Sequence, residues 1–163
     1  MKSEIATIAL VVGDLERATR FYCRGLGFTE LQTLVIGDEL AHVGGVAGAF
    51  RLHERFIKCG ATIINLLYNE TPPIAEARAP SRHRQLGFSH IVVRVDDLEA
   101  AIAGVRAQGG EVDEATRAHY DNPDPSVGRT LIVNCYDPEG NRIELIQMPD
   151  SAYAFLHTPK GPG

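Results

Sequence analysis

Hydrophobic and polar residues alternate in two stretches of the chain that resemble each other. Residues 8–12 and residues 91–95 each predict a short strand, because a period of two is typical of a strand with one buried face. An Asp-Leu-Glu step follows each stretch, and we predict that Asp14 and Asp97 cap the helices that begin there. A repeat at about half the chain length predicts two copies of one supersecondary unit.

The pattern continues through each copy as one helix and three more strands. In the first copy we predict strands at residues 5–12, 28–36, 49–58 and 61–68, a helix over 14–24 and a short helical insertion over 37–43. In the second copy we predict strands at residues 89–95, 111–118, 128–136 and 141–148 and a helix over 98–108. Both copies therefore have the order β-α-β-β-β.

A length of 163 residues is typical of one structural domain with a substantial core. We predict a first module at residues 1–69, a linker at 70–86, a second module at 87–149 and a C-terminal tail at 150–163 without periodicity. Two half-sheets that each carry a helix bury their apolar faces by curling together. The predicted fold is therefore α+β, with a curved, eight-stranded, barrel-like sheet and helices outside.

Composition and charge exclude several classes of protein. A net charge of −5 gives no electrostatic basis for binding nucleic acid or an anionic membrane. No apolar run approaches the roughly 20 residues needed to cross a bilayer, and the N-terminal residues lack the features of a secretory signal. The three cysteines are widely spaced and form no CxxC pair, which favours a reducing compartment. We therefore predict a cytoplasmic protein that binds neither nucleic acid nor a membrane.

The candidate functional residues lie at positions where the two copies differ. His90 lies near the start of the first strand of the second copy, and the first copy has Thr7 at the matching position. Strand alternation puts His90, Val92 and Arg94 on the side opposite the apolar residues of the same strand. A polar and partly basic face within a sound strand is where a ligand site is expected.

The last strands of the two copies differ in the same way. Glu144 interrupts an apolar strand, and it matches Asn65 of the first copy. A carboxylate in such a run is seldom buried without a partner, and the available partners are His90 with or without a metal ion, Arg142 on the same face, or water. Pseudo-twofold symmetry predicts that Thr7 and Asn65 join His90 and Glu144 around one cavity.

Three motifs resemble those of the vicinal oxygen chelate superfamily, which includes glyoxalases, bleomycin-resistance proteins and extradiol dioxygenases. They read ATIALVVGDLERATRFYCRGLGF, FSHIVVRVDDLEAAIAGVRAQGGEV and YDPEGNRIELIQ, and the resemblance covers about residues 4–148. These motifs are specific for the glyoxalase-like fold but not for one reaction, because this fold supports many chemistries. The resemblance implies a small oxygenated carbonyl or hydroxy compound as substrate and a homodimer as the common state.

In metal-dependent members of this superfamily, the ligands come from the first and last strands of each half. Carried over to this chain, those positions are Thr7, Asn65, His90 and Glu144, and only the second half keeps His and Glu. The resemblance thus implies a divalent ion (Zn, Mn, Ni or Fe) on His90 and Glu144 that acts as a Lewis acid. The alternative is a metal-free site, in which His90 and Glu144 form an acid–base pair and Thr7 and Asn65 hydrogen-bond substrate oxygens.

Four other residues are candidates for substrate contacts. Arg94 follows His90 on one strand face, His53 and Arg51 share a face of the third strand, and Tyr120 lies in a predicted loop. The function predicted from the resemblance is a lyase or isomerase that acts through an enolate. Two alternatives stay open, which are a protein that sequesters an antibiotic or metabolite in the same cavity and an extradiol-type dioxygenase.

Overall fold

Two halves with the same order of elements make up the structure, a computed structural model that describes residues 4–43, 45–74, 88–121 and 128–156. The first half contains β1 (Ile8–Val11), α1 (Leu15–Arg20) with a π-helical continuation (Phe21–Gly25), β2 (Thr29–Ile36), a 3₁₀ turn (Asp38–Leu40), β3 (Arg51–Cys59) and β4 (Thr62–Thr71). The second half contains β5 (Ile91–Arg94), α2 (Leu98–Ala107), β6 (Glu111–Asp121), β7 (Arg129–Tyr136), β8 (Arg142–Gln147) and α3 (Asp150–Leu156).

Each half forms its own four-stranded sheet. The strand orders are β1-β4-β3-β2 in the first sheet and β5-β8-β7-β6 in the second. In each sheet the first strand of the half runs parallel to the last one, and the other neighbours are antiparallel. The predicted α+β class and the β-α-β-β-β order are confirmed, and the eight strands form two curved sheets that are not closed into a barrel.

The repeated Asp-Leu-Glu step starts a helix in both halves. The Asp14 carboxylate accepts a hydrogen bond from the backbone N–H of Arg17 at 2.8 Å, and the Asp97 carboxylate accepts one from the backbone N–H of Ala100 at 3.0 Å. Each aspartate therefore satisfies an amide that has no partner within the first turn of its helix. The two capping predictions are confirmed.

The C-terminal tail differs from the prediction, because residues 150–156 form helix α3. A helix this short is not stable on its periodicity alone, so a tertiary contact has to hold it. Arg94 of β5 provides that contact by donating to the Asp150 carboxylate at 2.5 Å, while its guanidinium lies 4.5 Å from the centroid of the Tyr153 ring. The packing of α3 on this arginine is not visible in the local sequence pattern.

Two predicted loops begin later in the chain than expected. Strand β6 extends to Asp121, because His119 and Tyr120 pair with Leu131 and Thr130 of β7. Strand β4 likewise extends through Thr71 into the predicted linker, and residues 75–86 of that linker lie outside the described residues. In both cases the neighbouring strand supplies hydrogen bonds that prolong the element beyond its apolar pattern.

One hydrophobic core joins the two halves. The helices approach each other closely at Gly25 and Gly104, where a Cβ atom on Gly104 would lie 2.2 Å from the carbonyl oxygen of Gly25. Burial of apolar surface stabilises this arrangement by roughly 25 cal/mol per Å². The core contains residues from the helix-covered faces of both sheets and from the helices, among them Phe21, Tyr22, Ile57, Ile64, Leu66, Leu98, Ile102, Val105, Val133, Ile143 and Leu145.

A buried polar contact crosses this core between the halves. The Tyr22 hydroxyl donates to the Asp137 carboxylate at 2.8 Å, and Asp137 is only 3% exposed. The same carboxylate accepts from the backbone N–H groups of Glu139 and Asn141 and from the Asn141 side chain. Burial raises the pKa of Tyr22 well above its usual value, and the negative charge of Asp137 adds to that effect. Tyr22 is therefore a permanent donor, and the turn after β7 is tied to the first half.

Replacement of Tyr22 by Phe removes one donor from this buried carboxylate. We expect Tyr22→Phe to lower the free energy of unfolding by about 1–3 kcal/mol, the usual penalty for a buried group that loses its partner. Tyr120→Phe is the matched control, because Tyr120 is half exposed and its removed hydroxyl leaves no buried group unsatisfied. Urea denaturation of both variants measures the difference, and equal stabilities would contradict this role of Tyr22.

Candidate active site

Strand alternation divides the second sheet into a core side and an open side. Val93, Ile143 and Leu145 pack into the core, whereas Val92, next to Val93, is 52% exposed. Val92 pairs with Glu144, so both side chains lie on the side of the sheet opposite the core, which we call the open face. This arrangement follows from a sequence in which every second position is apolar.

His90 and Glu144 come together on the open face. His90 Nε2 lies 3.9 Å from Glu144 Oε2, and the two side chains are 17% and 20% exposed. This distance is too long for a direct hydrogen bond but allows a group placed between them to contact both. The other ring nitrogen, Nδ1, lies 2.9 Å from the Ser89 hydroxyl, which orients the imidazole. When Nδ1 donates to Ser89, Nε2 holds the lone pair that faces Glu144.

Asn134 and Arg142 extend this cluster, and sequence reasoning missed Asn134. Asn134 of β7 pairs with Glu144 and is 6% exposed. Its side-chain oxygen accepts a hydrogen bond from Arg142 Nε at 3.1 Å, so the Arg142 side chain also lies on the open face. The available signal was an amide in an otherwise apolar strand, residues 129–136, but only the pairing of β7 with β8 puts that amide beside Glu144.

The first sheet holds the matching pair, Thr7 and Asn65. Asn65 pairs with Ala9 of β1 and Phe56 of β3, so it faces away from the core residues that flank it in β4. By alternation from Ala9, Thr7 belongs to the same side of the sheet. The Asn65 side chain is 7% exposed, and its oxygen is buried without a hydrogen-bond partner among the described residues. A buried acceptor in that state is unfavourable unless a ligand or water completes it.

The two pairs belong to different sheets. Among the described residues, neither Thr7 nor Asn65 makes a hydrogen bond to His90 or Glu144, and each sheet presents its pair on the side opposite the shared core. The structure therefore places His90 close to Glu144, whereas Thr7 and Asn65 form a separate pair. The cavity common to all four residues stays a prediction.

His53 and Arg51 lie in another part of the first sheet. His53 pairs with Tyr68, which shares its side of β4 with the core residue Leu66, so His53 faces opposite to Asn65. His53 Nε2 lies 2.5 Å from the Glu70 carboxylate, and Arg51 donates to the same carboxylate at 3.0 Å. The hydrogen bond to His53 lowers the pKa of Glu70, with a further contribution from Arg51.

A surface pocket of about 300 Å³ lies beside this Arg51 cluster and is lined by Gly37, Asp38, Ala49, Phe50, Arg51 and Thr71. None of the residues that line it belongs to the open face of the second sheet. The pocket is therefore separate from the cluster around His90.

Arg94 and Tyr120 occupy the margins of the second sheet. Arg94 alternates with Val92 on β5, but its guanidinium contacts α3 and donates to the Met148 carbonyl oxygen at 3.1 Å. Tyr120 is half exposed near the end of β6 and pairs with Thr130. Neither side chain contacts His90 or Glu144 within the part of the chain that the structure describes.

Within the described part of the chain, His90 and Glu144 are the two side chains at this site that suit a metal ion. The described residues contain no group of three or more His, Cys, Asp and Glu side chains positioned to hold a metal. His90 and Glu144 are acceptable donor types, but a catalytic site normally has three protein ligands. The set present in one chain therefore does not fit a complete divalent-metal site.

The cysteine thiols do not contribute a nucleophile. Burial raises the pKa of Cys135 to about 12, and it raises the pKa of Cys23 and Cys59 as well. A thiol with a raised pKa carries little thiolate at neutral pH and reacts slowly. The chemistry available on the open face is therefore that of an imidazole, a carboxylate, a guanidinium and an amide.

Comparison with known proteins identifies the family. The model of the Glyoxalase/Bleomycin resistance protein/Dioxygenase superfamily matches residues 4–145. The chain belongs to this superfamily. The vicinal oxygen chelate resemblance predicted from the three motifs is thereby confirmed.

Relatives within the superfamily include enzymes named as lyases. A lactoylglutathione lyase of Haemophilus influenzae is 31% identical over 147 residues, which cover 88% of this chain and 92% of that protein. A probable lactoylglutathione lyase from Arabidopsis chloroplasts is 27% identical over 90% of this chain, and the match spans 36% of the length of that relative. A glyoxalase family protein from Bacillus cereus shares the fold with a TM-score of 0.74 at 19% identity, covering 91% of this chain and 97% of that one.

The unsatisfied oxygen of Asn65 leads to a stability prediction. We expect Asn65→Leu to raise the free energy of unfolding by about 1 kcal/mol, because it removes a buried acceptor that lacks a partner. Asn134→Leu is the matched control and is expected to lower that free energy by about 1–3 kcal/mol, because Arg142 then loses its acceptor. Chemical denaturation of the two variants measures both effects. A marked loss of stability in Asn65→Leu would show that the amide is structural.

Proposed function

We propose that this chain is an enzyme of the lyase or isomerase type that moves a proton at the carbon next to a carbonyl group. The observation that carries the proposal is the facing pair of His90 and Glu144, whose nitrogen and oxygen lie 3.9 Å apart on an accessible sheet face. The superfamily assignment and the relatives named lactoylglutathione lyase support lyase chemistry. The substrate class is a small oxygenated carbonyl or hydroxy compound.

The proposed step begins with a substrate between the two side chains. His90 Nε2 accepts the hydrogen from the α-carbon as a proton, and the bonding electrons move onto the carbonyl oxygen to form an enolate. The Glu144 carboxylate stabilises the imidazolium that results, since an opposite charge within about 4–6 Å favours the charged form. In an α-hydroxy carbonyl substrate, the hydroxyl proton then moves to the enolate oxygen, the hydroxyl-bearing carbon becomes the new carbonyl, and the proton on His90 goes to the former carbonyl carbon. These transfers complete an isomerisation and restore the neutral imidazole.

A divalent metal would supply Lewis-acid stabilisation of the enolate oxygen. The two donors that one chain offers fall short of the usual three, and the first half has Thr7 and Asn65, a hydroxyl and an amide, at the matching positions. We therefore assign proton transfer to His90 and Glu144 themselves and derive no step through a metal.

We propose that a second copy of the chain packs against the sides of both sheets that face away from the core, which we call the open faces. Val11 on the first sheet and Val92 on the second are each about half exposed on those faces. Exposed apolar residues on two sheet faces are typical of a surface that pairs with another molecule. A homodimer would cover these faces and bring a Thr7–Asn65 pair towards a His90–Glu144 pair.

We propose a cytoplasmic location for the protein, because three unpaired cysteines suit a reducing compartment. None of the helices in the described part of the chain has the length and hydropathy needed to span a bilayer.

A binding protein without catalysis is the second candidate. The observation that favours it is the first-half pair, since Thr7 and Asn65 suit hydrogen bonds to a ligand better than proton transfer. An extradiol-type dioxygenase requires two histidines and one carboxylate in a facial set. The described residues bring one histidine to Glu144, so this third alternative has less support.

Proton exchange at the α-carbon tests the proposed reaction. Incubation of lactoylglutathione and of pyruvate with the protein in D2O should exchange α-hydrogens of at least one compound faster than buffer, as followed by proton NMR. We expect His90→Ala and Glu144→Gln to slow the exchange by about 10²–10⁴-fold, the usual contribution of general acid–base catalysis. His42→Ala, an exposed histidine in a turn of the first half, should retain the wild-type rate. An unchanged rate in His90→Ala would refute the mechanism, and binding without any exchange would favour the second candidate.

Metal removal gives an independent test of the assignment to side chains. We expect protein purified without chelators to contain much less than one divalent ion per chain, because the four matching positions supply two strong donors, His90 and Glu144, and a hydroxyl and an amide in place of the others. The same exchange rate is expected after dialysis against EDTA. Elemental analysis of wild type and Glu144→Gln measures the first expectation. A stoichiometric ion that is lost in Glu144→Gln, together with an EDTA-sensitive rate, would show that the metal mechanism is correct.

A further inference from the structure

Among the residues that the structure describes, Arg142 differs from the other arginines of the strands in having no carboxylate partner. Within the described residues, its side chain makes one hydrogen bond, from Nε to the side-chain oxygen of Asn134 at 3.1 Å. This position on β8 is half-buried and lies on the open face with Glu144. The other strand arginines each pair with at least one carboxylate, and these are Arg51, Arg55, Arg94, Arg117 and Arg129.

The guanidinium of Arg142 is held in one orientation beside the His90–Glu144 pair. Asn134 pairs with Glu144 across the strands, and its side-chain oxygen accepts a hydrogen bond from Nε of Arg142. That bond leaves the Nη groups for other acceptors, because a guanidinium has five N–H donors in a planar fork. His90 and Arg142 directly precede the paired residues Ile91 and Ile143, so they lie side by side where β5 and β8 begin.

A half-buried guanidinium without an anion is unfavourable, because it loses hydration and gains no opposite charge. Because Asn134 is neutral, its hydrogen bond offsets only part of this desolvation cost. Arginine binds carboxylates through two parallel hydrogen bonds, which provide both affinity and orientation. An anion on the open face would therefore satisfy Arg142 without any rearrangement of the strands.

We propose that Arg142 binds a carboxylate of the substrate, and that the substrate is therefore a small 2-oxo or 2-hydroxy acid. Neighbouring side chains on one sheet face are about 5–7 Å apart. A small acid can span that distance with its carboxylate on Arg142 and its reacting carbon between His90 and Glu144. Asn134 is a positioning residue in this arrangement, because it acts only by orienting the guanidinium. The inference rests on the proposed function for the location of the reacting carbon.

Equilibrium binding of pyruvate and its neutral analogue pyruvamide to the full chain tests this inference. The two probes differ in the charge of one group and share the ketone and the methyl carbon. We expect wild type to bind pyruvate at least about tenfold more tightly than pyruvamide, since hydrogen bonds between charged groups are about twice as strong as neutral ones. The ¹⁵Nε–¹H signal of Arg142, identified by its loss in Arg142→Gln, should shift with pyruvate and not with pyruvamide.

Variants separate a binding role from a structural one. Arg142→Gln should weaken pyruvate binding at least about tenfold and change pyruvamide binding by less than about threefold, because only the charge contact is lost. Arg129→Gln is the matched control, an arginine on β7 that pairs with Asp121, and should bind both probes like wild type. If Arg142→Gln does not fold, Arg142→Lys takes its place, because lysine keeps the positive charge but lacks the planar guanidinium. We expect Arg142→Lys to lose part of its affinity for pyruvate and to bind pyruvamide like wild type.

Three results would overturn the inference. These are equal binding of pyruvate and pyruvamide by wild type, no binding of either probe at millimolar concentration, and the same pyruvate affinity in Arg142→Gln and Arg129→Gln. The proposed reaction is tested by a different readout, because we expect Glu144→Gln to bind pyruvate but to lose deuterium exchange. If wild type binds pyruvate through Arg142 but does not exchange its hydrogens for deuterium, the enolate chemistry is refuted and the carboxylate site is supported.

Discussion

The buried carboxylate of Asp137 connects the two halves and determines where the candidate site begins. It accepts four hydrogen bonds, one from Tyr22 of the first half and three from the turn that joins β7 to β8. A buried charge of this kind is tolerated only when several donors surround it. Because the turn is held in this way, β8 starts at Arg142 and its alternation is fixed from there. The position of Glu144 on the open face therefore depends on a contact made on the far side of the sheet.

Alternation along a strand with one buried face then puts core residues and site residues on opposite sides of the sheet. Ile143 and Leu145 are fully buried, and Glu144 between them is not. A shift of β8 by one residue would bring the carboxylate into the apolar core and expose its neighbours, which makes the observed register strongly preferred. The same alternation on β5 exposes Val92 and buries Val93. Polar groups can therefore occupy the open face without weakening the core behind it.

The duplicated scaffold carries unequal chemistry in its two halves. The second sheet presents an imidazole, a carboxylate, a guanidinium and an amide in one cluster. The first sheet has a threonine and a buried asparagine at the matching positions, and Arg55 of β3 pairs with Glu16 and Glu30. The repeat therefore accounts for the fold of both halves, while at the matching positions the ionisable groups suited to proton transfer, His90 and Glu144, lie in the second half.

The sequence alone determined the features that depend on local periodicity and on the internal repeat. It predicted the two β-α-β-β-β modules, both aspartate caps and the separation of Glu144 from its apolar neighbours, because these follow from residues close together in the chain. Comparison of the two copies also singled out His90 with Glu144. Tertiary structure alone decided which strands pair and in what register. That pairing places Asn134 beside Arg142 and His53 on the side of the sheet opposite Asn65. A separate contact between Arg94 and α3 holds the C-terminal helix. Each of these contacts joins separate elements, and the free energy that selects them comes from packing between those elements, which no local pattern contains.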